Sequence, residues 1–194
     1  NQLGLPQEYF QYPAFSRFEH SIGVMFLLKK MGANLKEQVA GLLHDASHLA
    51  FSHLADWVFG DPGKEDLQDK LHENIIKKPE IRGILEKYNL NHEEISNVHN
   101  FLLLEKPAPS LCADRIDYTL REVAIRIDIE KAKFCFNNLT VLGNYFAFRT
   151  KESAELFAKL YSQCQKENWA GNESKTRYHI LAEALKIALQ KKII

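Results

Sequence analysis

The spacing of apolar residues along the chain predicts a mostly α-helical protein. Ser16 is followed three residues later by Glu19, a capping-box pattern that predicts a helix from residue 16 to about residue 30. The buried face of this helix is expected to carry Phe18, Ile22, Met25 and Phe26. Helical spacing and turn residues predict later helices at about 35–44, 53–59, 65–77, 79–88, 91–104, 110–128, 151–167 and 174–191.

The pattern changes between residues 134 and 148. Aromatic and β-branched residues there surround Asn137-Asn138 and Gly143-Asn144. The former favour strands, and asparagine and glycine favour the turns between strands. We therefore expect a β-hairpin or a three-stranded sheet, so the predicted fold class is mostly α with a small antiparallel β element near 134–148.

The composition restricts the partners that the chain is expected to bind. Its 194 residues are 45% hydrophobic, which suits one well-buried domain. Lysine and arginine total 25, as do aspartate and glutamate, so no net basic field favours nucleic acid or an anionic membrane. The three cysteines are widely spaced, which indicates reduced thiols. We expect a cytoplasmic protein without a membrane or nucleic-acid partner.

Polar residues cluster at one place in this apolar pattern. The run from His44 to His53 carries three histidines and Asp45, directly after an apolar helical segment. A buried polar cluster is costly unless something pairs it, and adjacent helical side chains point about 100° apart. His44 and Asp45 can therefore bind one cation only if it lies between helices. His20 and Asp114 would complete a set of two nitrogens and two carboxylates, which suits a divalent metal ion.

Each of these residues also has a simpler explanation when it is taken singly. A lone histidine of this kind is more often a satisfied core residue, and a lone aspartate often lies on a helix surface. Five of the eight histidines fall between positions 20 and 72, however, and the ligand-type residues follow one ordered pattern. We predict one divalent metal ion, and the ligand types do not choose among manganese, iron, zinc, nickel and magnesium.

The assembled motifs resemble the HD-domain metal-dependent phosphohydrolases, and most closely the deoxynucleoside triphosphate (dNTP) triphosphohydrolase branch. The resemblance runs in order from residue 2 to residue 126. It implies an HD-domain helical bundle in which water attacks the α-phosphorus of a dNTP, releasing a deoxynucleoside and triphosphate. The motifs are Gln2-Leu3-Gly4, Ser16 to Val24, His44 to His53, His72-Glu73-Asn74, Asp114, Asp117-Tyr118 and Arg121-Glu122.

The resemblance implies roles for the remaining histidines of this region. His48 and His53 would line the phosphates beside the metal ion. His72, paired with Asp56 or backed by Glu73, would transfer a proton. A solvent-facing helix position is the alternative for His72.

Three further substrate contacts, those of Arg17, Gln2 and Leu3, are expected near the start of the chain. Arg17 lies three residues before His20 and near the same helix face, which suits a planar cation that grips phosphate. A surface ion pair with Glu19 is the alternative. By resemblance, Gln2 and Leu3 would meet the sugar 3′-hydroxyl and the base, which favours a deoxynucleotide as the substrate.

The predicted helix over 110–128 supplies the other expected substrate contacts. Asp114, Tyr118 and Glu122 recur at four-residue spacing and therefore share one face. The resemblance implies that Tyr118 and Glu122 meet the ribose and that Arg115 binds the substrate. Core packing is the alternative for Tyr118.

The chain departs from the family pattern in three places. Ala46 or Ser47 stands where glycine is usual, and Gln163 stands near the place of an arginine that contacts the polyphosphate. The Tyr-x-x-Lys segment that follows in the family is replaced by Asn168-Trp169-Ala170-Gly171. Candidates to replace that arginine are Lys151, Lys159 and Arg177. Triphosphate specificity is thus open. The alternatives are a 5′-nucleotidase or phosphodiesterase acting on a smaller nucleotide, and a non-catalytic nucleotide-sensing HD scaffold.

The expected organisation is a single HD domain over 1–194. Its catalytic core would span about 12–126, and the hairpin and C-terminal helices would occupy 127–194. In the family a helix precedes the Gln-Leu-Gly turn, and the chain begins at Asn1, so we expect a fragment that lacks this helix. Family members often form dimers or higher oligomers, which makes homo-oligomerisation a further expectation.

Overall fold

The fold is mostly α-helical with one small antiparallel sheet, which confirms the predicted fold class. The structure, a computed structural model, describes residues 14–61, 63 and 66–193. Its helices are α1 Arg17–Lys30, α2 Leu35–Leu43, α3 Leu54–Phe59, α4 Leu67–Ile76, α5 Pro79–Lys87, α6 His92–Ser96, α7 Ala113–Arg126, α8 Ile129–Asn137, α9 Lys151–Cys164 and α10 Asn172–Gln190. The strands are β1 Leu139–Leu142 and β2 Tyr145–Phe148.

Helix α1 begins as the capping box predicts, but it buries a different face. Ser16 Oγ accepts a hydrogen bond from the Glu19 backbone N at 3.1 Å, and Glu19 Oε2 accepts one from the Ser16 backbone N at 2.7 Å. The prediction that Phe18 and Phe26 are buried is wrong, because these side chains are 71% and 56% exposed. The stripe that faces the core instead contains His20, Ser21, Val24, Leu27 and Leu28.

The predicted end of the helix over 91–104 is wrong. Helix α6 ends at Ser96, well before residue 104, and a 3₁₀ turn Val98–Asn100 follows it. The buried carboxylate of Glu37 accepts hydrogen bonds from the backbone N–H groups of Leu103 and Leu104 at 2.7 and 3.1 Å, so this loop needs no helical partners.

Helix α8 was not predicted, and it includes the first residues of the segment expected to be β. Asp128 Oδ1 accepts hydrogen bonds from the backbone N–H groups of Glu130 and Lys131, which caps the helix and explains its start. Tertiary packing then overrides the weak strand preference of residues 134–137.

The predicted hairpin is present in its two-stranded form. Strands β1 and β2 pair antiparallel, with Leu139 opposite Phe148 and Leu142 opposite Tyr145. Gly143 in the turn has a φ of 60°, a conformation that glycine adopts without strain. The hairpin is followed by α9, which packs against β2 and α7.

Helices α1, α2 and α7 build the part of the core that supports the site. Helix α1 packs against both α2 and α7, through apolar residues such as Val24, Leu28, Ala40, Ile116 and Val123. The first turns of α1 and α7 and the residues that follow α2 meet at one end of this core. Among the described residues, no helix is both long and apolar enough to cross a membrane.

Candidate metal centre and active site

The four residues expected to bind the metal ion lie together at the helix ends. His20 comes from the first turn of α1, His44 caps the C-terminus of α2, Asp45 follows it, and Asp114 lies in the first turn of α7. Asp114 Oδ1 lies 2.8 Å from His20 Nε2 and 3.4 Å from His44 Nε2. Asp45 Oδ1 is 3.6 Å from His44 Nε2, and Asp45 Oδ2 is 3.8 Å from His20 Nε2. Donor atoms from three separate segments thus converge on one point.

Both histidines have the ring orientation that a metal ligand needs. His44 Nδ1 lies 2.7 Å from the carbonyl oxygen of Gly41, so this nitrogen donates its proton and the Nε2 lone pair remains. That Nε2 is buried and has no hydrogen-bond partner among the described residues. His20 Nδ1 lies 2.8 Å from Asp117 Oδ2, which likewise directs Nε2 towards Asp114. These side chains therefore fit a divalent cation.

Asp117 orients His20 and was not among the predicted site residues. Its carboxylate also accepts a hydrogen bond from Arg121 Nε at 2.6 Å. A Cβ atom on Gly23 would overlap both Arg121 Nη2 and Asp117 Oδ1, so the absence of a side chain at Gly23 makes room for this pair. The three-residue spacing from Asp114 to Asp117, which places both on one helix face, is the signal that could have found it.

The histidines and carboxyl groups of the cluster all favour their charged forms. Burial lowers the pKa of His20, but hydrogen bonds with Asp114 and Asp117 outweigh burial and raise this pKa to about 9. Burial likewise opposes the charged form of His44, yet Asp45 and Asp114 raise its pKa. Burial disfavours ionised Asp45 and Asp114, but the neighbouring histidines hold the pKa values of both carboxyls below their ordinary range. In the metal-free protein, protonated histidines therefore face ionised carboxylates, and binding of a metal ion would release the histidine protons.

Asp114 also belongs to a second group of metal-ligand types. Glu105, Cys112 and Asp114 each offer a donor atom within 4.8 Å of the others. Burial and the Asp114 charge raise the pKa of the Glu105 carboxyl, and burial with Glu105 raises the pKa of the Cys112 thiol to about 12. The Glu105 carboxyl therefore holds its proton more readily than an ordinary glutamate, and the sequence pattern did not indicate this residue.

Arg17 points into the site rather than pairing with Glu19, which is engaged in the capping box. Its Nη1 lies 2.6 Å from Asp45 Oδ2, and its Nε donates to Ser52 Oγ at 3.0 Å. Ser52 and the preceding Phe51 both have positive φ, 52° and 67°, a backbone conformation that non-glycine residues rarely adopt. This strained turn places the Ser52 hydroxyl against the guanidinium.

His48 and His53 lie beside the cluster, and their rings are close together. His48 Nε2 is 3.3 Å from Asp45 Oδ1, and the centroids of the His48 and His53 rings are 5.0 Å apart. Burial, followed by the charges of His48 and Arg17, lowers the pKa of His53 to about 4. His53 is therefore neutral at pH 7 in the absence of substrate.

His72 is buried, which contradicts the solvent-facing alternative, and its partner is neither acidic residue expected. Ser47 Oγ lies 3.1 Å from His72 Nδ1. Asp56 Oδ1 instead accepts a hydrogen bond from the first backbone N–H of α4, because it caps that helix. The backing role of Glu73 is wrong, since its carboxylate is exposed and pairs with Lys77 on the same helix. Burial and the His44 charge lower the pKa of His72 to about 4.

The face of α7 that follows Asp114 is only partly open. Tyr118 is half-buried and packs edge-on against Trp169, with ring centroids 4.9 Å apart. Glu122 is buried, and its Oε1 accepts hydrogen bonds from Arg126 Nε and Asn168 Nδ2 at 2.8 and 2.9 Å. The ribose contact of Glu122 stays a prediction. Arg126 of α7 and Asn168 of the π-helical turn Gln165–Trp169 already bond to this carboxylate, whose pKa burial raises.

The other expected substrate contacts remain predictions. Arg115 Nη1 donates to the carbonyl oxygens of Ser110 and Lys106, which ties the guanidinium to the loop before α7. A contact of Arg115 with the substrate has no support from this arrangement. Gln2 and Leu3 lie outside the described residues.

Three cations were suggested to replace the missing arginine, and the contacts described for them lie away from the His20–His44–Asp45–Asp114 cluster. Gln163 Nε2 donates to Glu167 on the exposed side of α9. Lys159 lines a surface cavity together with Gln163. Lys151 and Arg177 each pair with a glutamate of their own helix. The departure noted at Gln163 therefore stands.

Comparison with known proteins shows the family to which the chain belongs and several relatives with similar sequences. The HD domain family matches residues 17–122. The chain is 41% identical over 182 residues to the uncharacterised protein YdhJ of Bacillus subtilis, covering 92% of this chain and 56% of that protein. It is 31% identical over 166 residues to the metal-dependent phosphohydrolase cns2 of Cordyceps militaris, covering 81% of this chain and 48% of that protein. The chain thus spans about half the length of these relatives.

A shorter match links the chain to an enzyme of nucleotide metabolism. It is 33% identical over 110 residues to the deoxynucleoside triphosphate triphosphohydrolase SAMHD1 of Gallus gallus, covering 44% of this chain and 18% of that protein. A phosphohydrolase from Bacteroides thetaiotaomicron has a similar fold, with a TM-score of 0.60 and 20% identity, covering 89% of this chain and 47% of that one. The last likeness supports the fold alone.

Proposed function

This chain belongs to the HD-domain family, and we propose that it is a metal-dependent phosphohydrolase that hydrolyses a dNTP to deoxynucleoside and triphosphate. The observation that carries this proposal is the convergence of His20, His44, Asp45 and Asp114, in which the buried His44 Nε2 faces two carboxylates but makes no hydrogen bond among the described residues. An unpaired buried nitrogen costs stability unless a ligand satisfies it. A metal ion is the ligand that this donor set suits.

The four side chains would hold one divalent cation through two imidazole nitrogens and two carboxylates. When bound, such an ion polarises a phosphate oxygen and lowers the pKa of water, which supplies a nucleophile at neutral pH. Asp117 keeps His20 in the orientation that directs Nε2 into the site, because its carboxylate bonds to His20 Nδ1. Arg121 holds Asp117 in turn.

Arg17 and His48 would bind the phosphates beside the metal ion. Arg17 contacts Asp45 through Nη1 and Ser52 through Nε, so its guanidinium borders the cluster, and a guanidinium binds phosphate oxygens in a forked arrangement. His48 lies against Asp45 from the other side, so both groups border the same ligand. His72, buried behind them, would hydrogen-bond the leaving oxygen and stabilise the charge that develops there.

A deoxynucleoside triphosphate is the substrate that the relatives favour. The match to the SAMHD1 triphosphohydrolase of Gallus gallus lies within the part of the family that acts on dNTPs by name. Tyr118, whose ring centroid is 6.4 Å from that of His20, is close enough to the cluster to contact a sugar. Gln163 favours a second candidate, a nucleotidase acting on a smaller nucleotide, because a polyphosphate needs more cationic contacts.

The test is a substrate panel of deoxynucleoside mono-, di- and triphosphates with Mn²⁺, with products separated by chromatography. The proposal predicts triphosphate release from a dNTP by the wild type. It predicts loss of this activity in the His44→Ala and Asp45→Ala double variant, and wild-type activity in the exposed control His179→Ala. Cleavage of monophosphates alone would favour the nucleotidase. Nucleotide binding without turnover by fully metal-loaded protein would contradict both.

A further inference from the structure

We propose that Ser47 is a positioning residue that fixes His72 as the tautomer with its proton on Nε2, so that this N–H is presented to the phosphate ester. The inference rests on the proposed function for its consequence, but the tautomer itself can be measured without turnover. Ser47 and His72 are 3% and 4% exposed, and Ser47 Oγ lies 3.1 Å from His72 Nδ1.

The direction of this hydrogen bond follows from the number of protons left unpaired. A serine hydroxyl has one proton to donate, and a neutral imidazole has one N–H and one lone pair. If Ser47 accepted from an Nδ1–H of His72, its own buried hydroxyl proton would find no acceptor among the described contacts, and His72 Nε2 would be an unpaired acceptor. If Ser47 donates to Nδ1, only the Nε2–H remains unpaired. The second arrangement leaves fewer buried groups unsatisfied.

The remaining unpaired atom is the one that the proposal needs. His72 Nε2 is buried and has no hydrogen-bond partner among the residues that the structure describes. A buried N–H without an acceptor destabilises the free protein, and this cost disappears when an anionic oxygen accepts its hydrogen bond. His72 is neutral at pH 7, because burial lowers its pKa to about 4, so it carries one ring proton whose position Ser47 decides.

The backbone around this pair is held in place by a second contact from the same helix. Gln68 lies one turn before His72 on α4, and its Nε2 donates to the carbonyl oxygen of His44 at 2.8 Å. Ser47 and His44 belong to the same turn after α2. One face of α4 therefore packs against the turn that carries Asp45 and is held there by two hydrogen bonds. The position of His72 relative to the metal ligands is set by this docking.

The tautomer is tested directly by two-dimensional NMR that correlates ring protons with both ring nitrogens. The full chain is labelled with ¹⁵N, kept metal-free at pH 7.5, and His72 is assigned from a His72→Gln variant. We expect a protonated Nε2 and an unprotonated Nδ1 in the wild type. Ser47→Ala should give a mixture of both tautomers, whereas Ser47→Thr, which keeps the hydroxyl, should retain the wild-type pattern. Ser162→Ala, a change at an exposed serine of α9, should leave the signals unchanged.

Kinetics provide the second readout. With Mn²⁺ and a dNTP, Ser47→Ala should lower kcat by roughly fivefold to tenfold, the factor that corresponds to one lost hydrogen bond, with KM and metal content unchanged. Ser47→Thr should restore most of kcat. A wild-type His72 protonated on Nδ1, or a tautomer that Ser47→Ala does not alter, would overturn the inference. A confirmed tautomer in a protein that turns over no nucleotide would refute the proposed function and leave the assignment of Ser47 standing.

Discussion

Substituting Gly23 by alanine separates metal-site geometry from helix stability. Gly23 lies inside α1, where alanine normally stabilises a helix by about 0.5–1 kcal/mol. Here the new Cβ would overlap Asp117 Oδ1 and Arg121 Nη2. Overpacking of this kind costs about 1–3 kcal/mol. The metal-free Gly23→Ala variant should therefore be about 1–2 kcal/mol less stable than the wild type, a fall in Tm of several degrees.

The same displacement should weaken metal binding, because Asp117 orients His20 through a 2.8 Å hydrogen bond. Loss of such an orienting partner typically lowers metal affinity by about 10–100-fold, or about 1.4–2.8 kcal/mol. Titration calorimetry with Zn²⁺ or Mn²⁺ measures the affinity, and circular dichroism measures thermal unfolding of the metal-free protein.

Gly83→Ala is the matched control. Gly83 is exposed within α5, and a Cβ there would meet nothing within 4 Å. This variant should be slightly more stable than the wild type and bind metal equally well. If Gly23→Ala matched Gly83→Ala in both stability and metal affinity, the account of Asp117 as the group that orients His20 would be refuted.

Three further predictions concern the fold and the phosphate contacts. Glu37→Leu leaves two buried loop N–H groups unpaired and should lower the free energy of unfolding in urea by about 2–4 kcal/mol. Glu94→Leu breaks an exposed ion pair and should lower it by less than about 1 kcal/mol. Equal losses of stability in the two variants would contradict this prediction. The pKa of His53 is about 4 when folded and ordinarily 6.5, so it contributes stability above pH 6.5 that is lost as the pH falls towards 4. Urea titrations at pH 7.5 and 4.5 should show a smaller loss in His53→Gln than in the wild type; an unchanged loss would refute the assignment. Arg17→Lys replaces the planar guanidinium, whose several N–H groups can contact Ser52 and a phosphate at once, by a single ammonium group. This variant should have a KM for a dNTP about tenfold higher than the wild type, with the same metal content. An unchanged KM would show that Arg17 does not bind the phosphate.

The four predicted ligand residues lie together in the structure, and the sequence could indicate this because its signals are local. The capping box that begins α1 places His20 in the first turn, and the apolar run of α2 ends at His44. The order of His20, His44, Asp45 and Asp114 could then be recognised without knowing how the helices pack. The same local signals predicted the hairpin and the two helices that follow it.

What could not be predicted depends on contacts between distant segments. The rotation of α1, which exposes Phe18 and Phe26, is decided by the requirement to bury His20 against two carboxylates of α7. The partner of His72 could not be read from sequence either, because Ser47 lies 25 residues earlier. No periodicity within one element carries such information.

The most direct test of the central claim follows the oxygen atom of water. The metal-loaded wild type is incubated with a dNTP in H₂¹⁸O, and the metal content is measured on the same sample. The masses of the products are then measured by mass spectrometry. Attack at the α-phosphorus with the deoxynucleoside leaving predicts unlabelled deoxynucleoside and triphosphate carrying one ¹⁸O. A labelled deoxynucleoside monophosphate, or no turnover of any dNTP by fully loaded protein, would contradict the account.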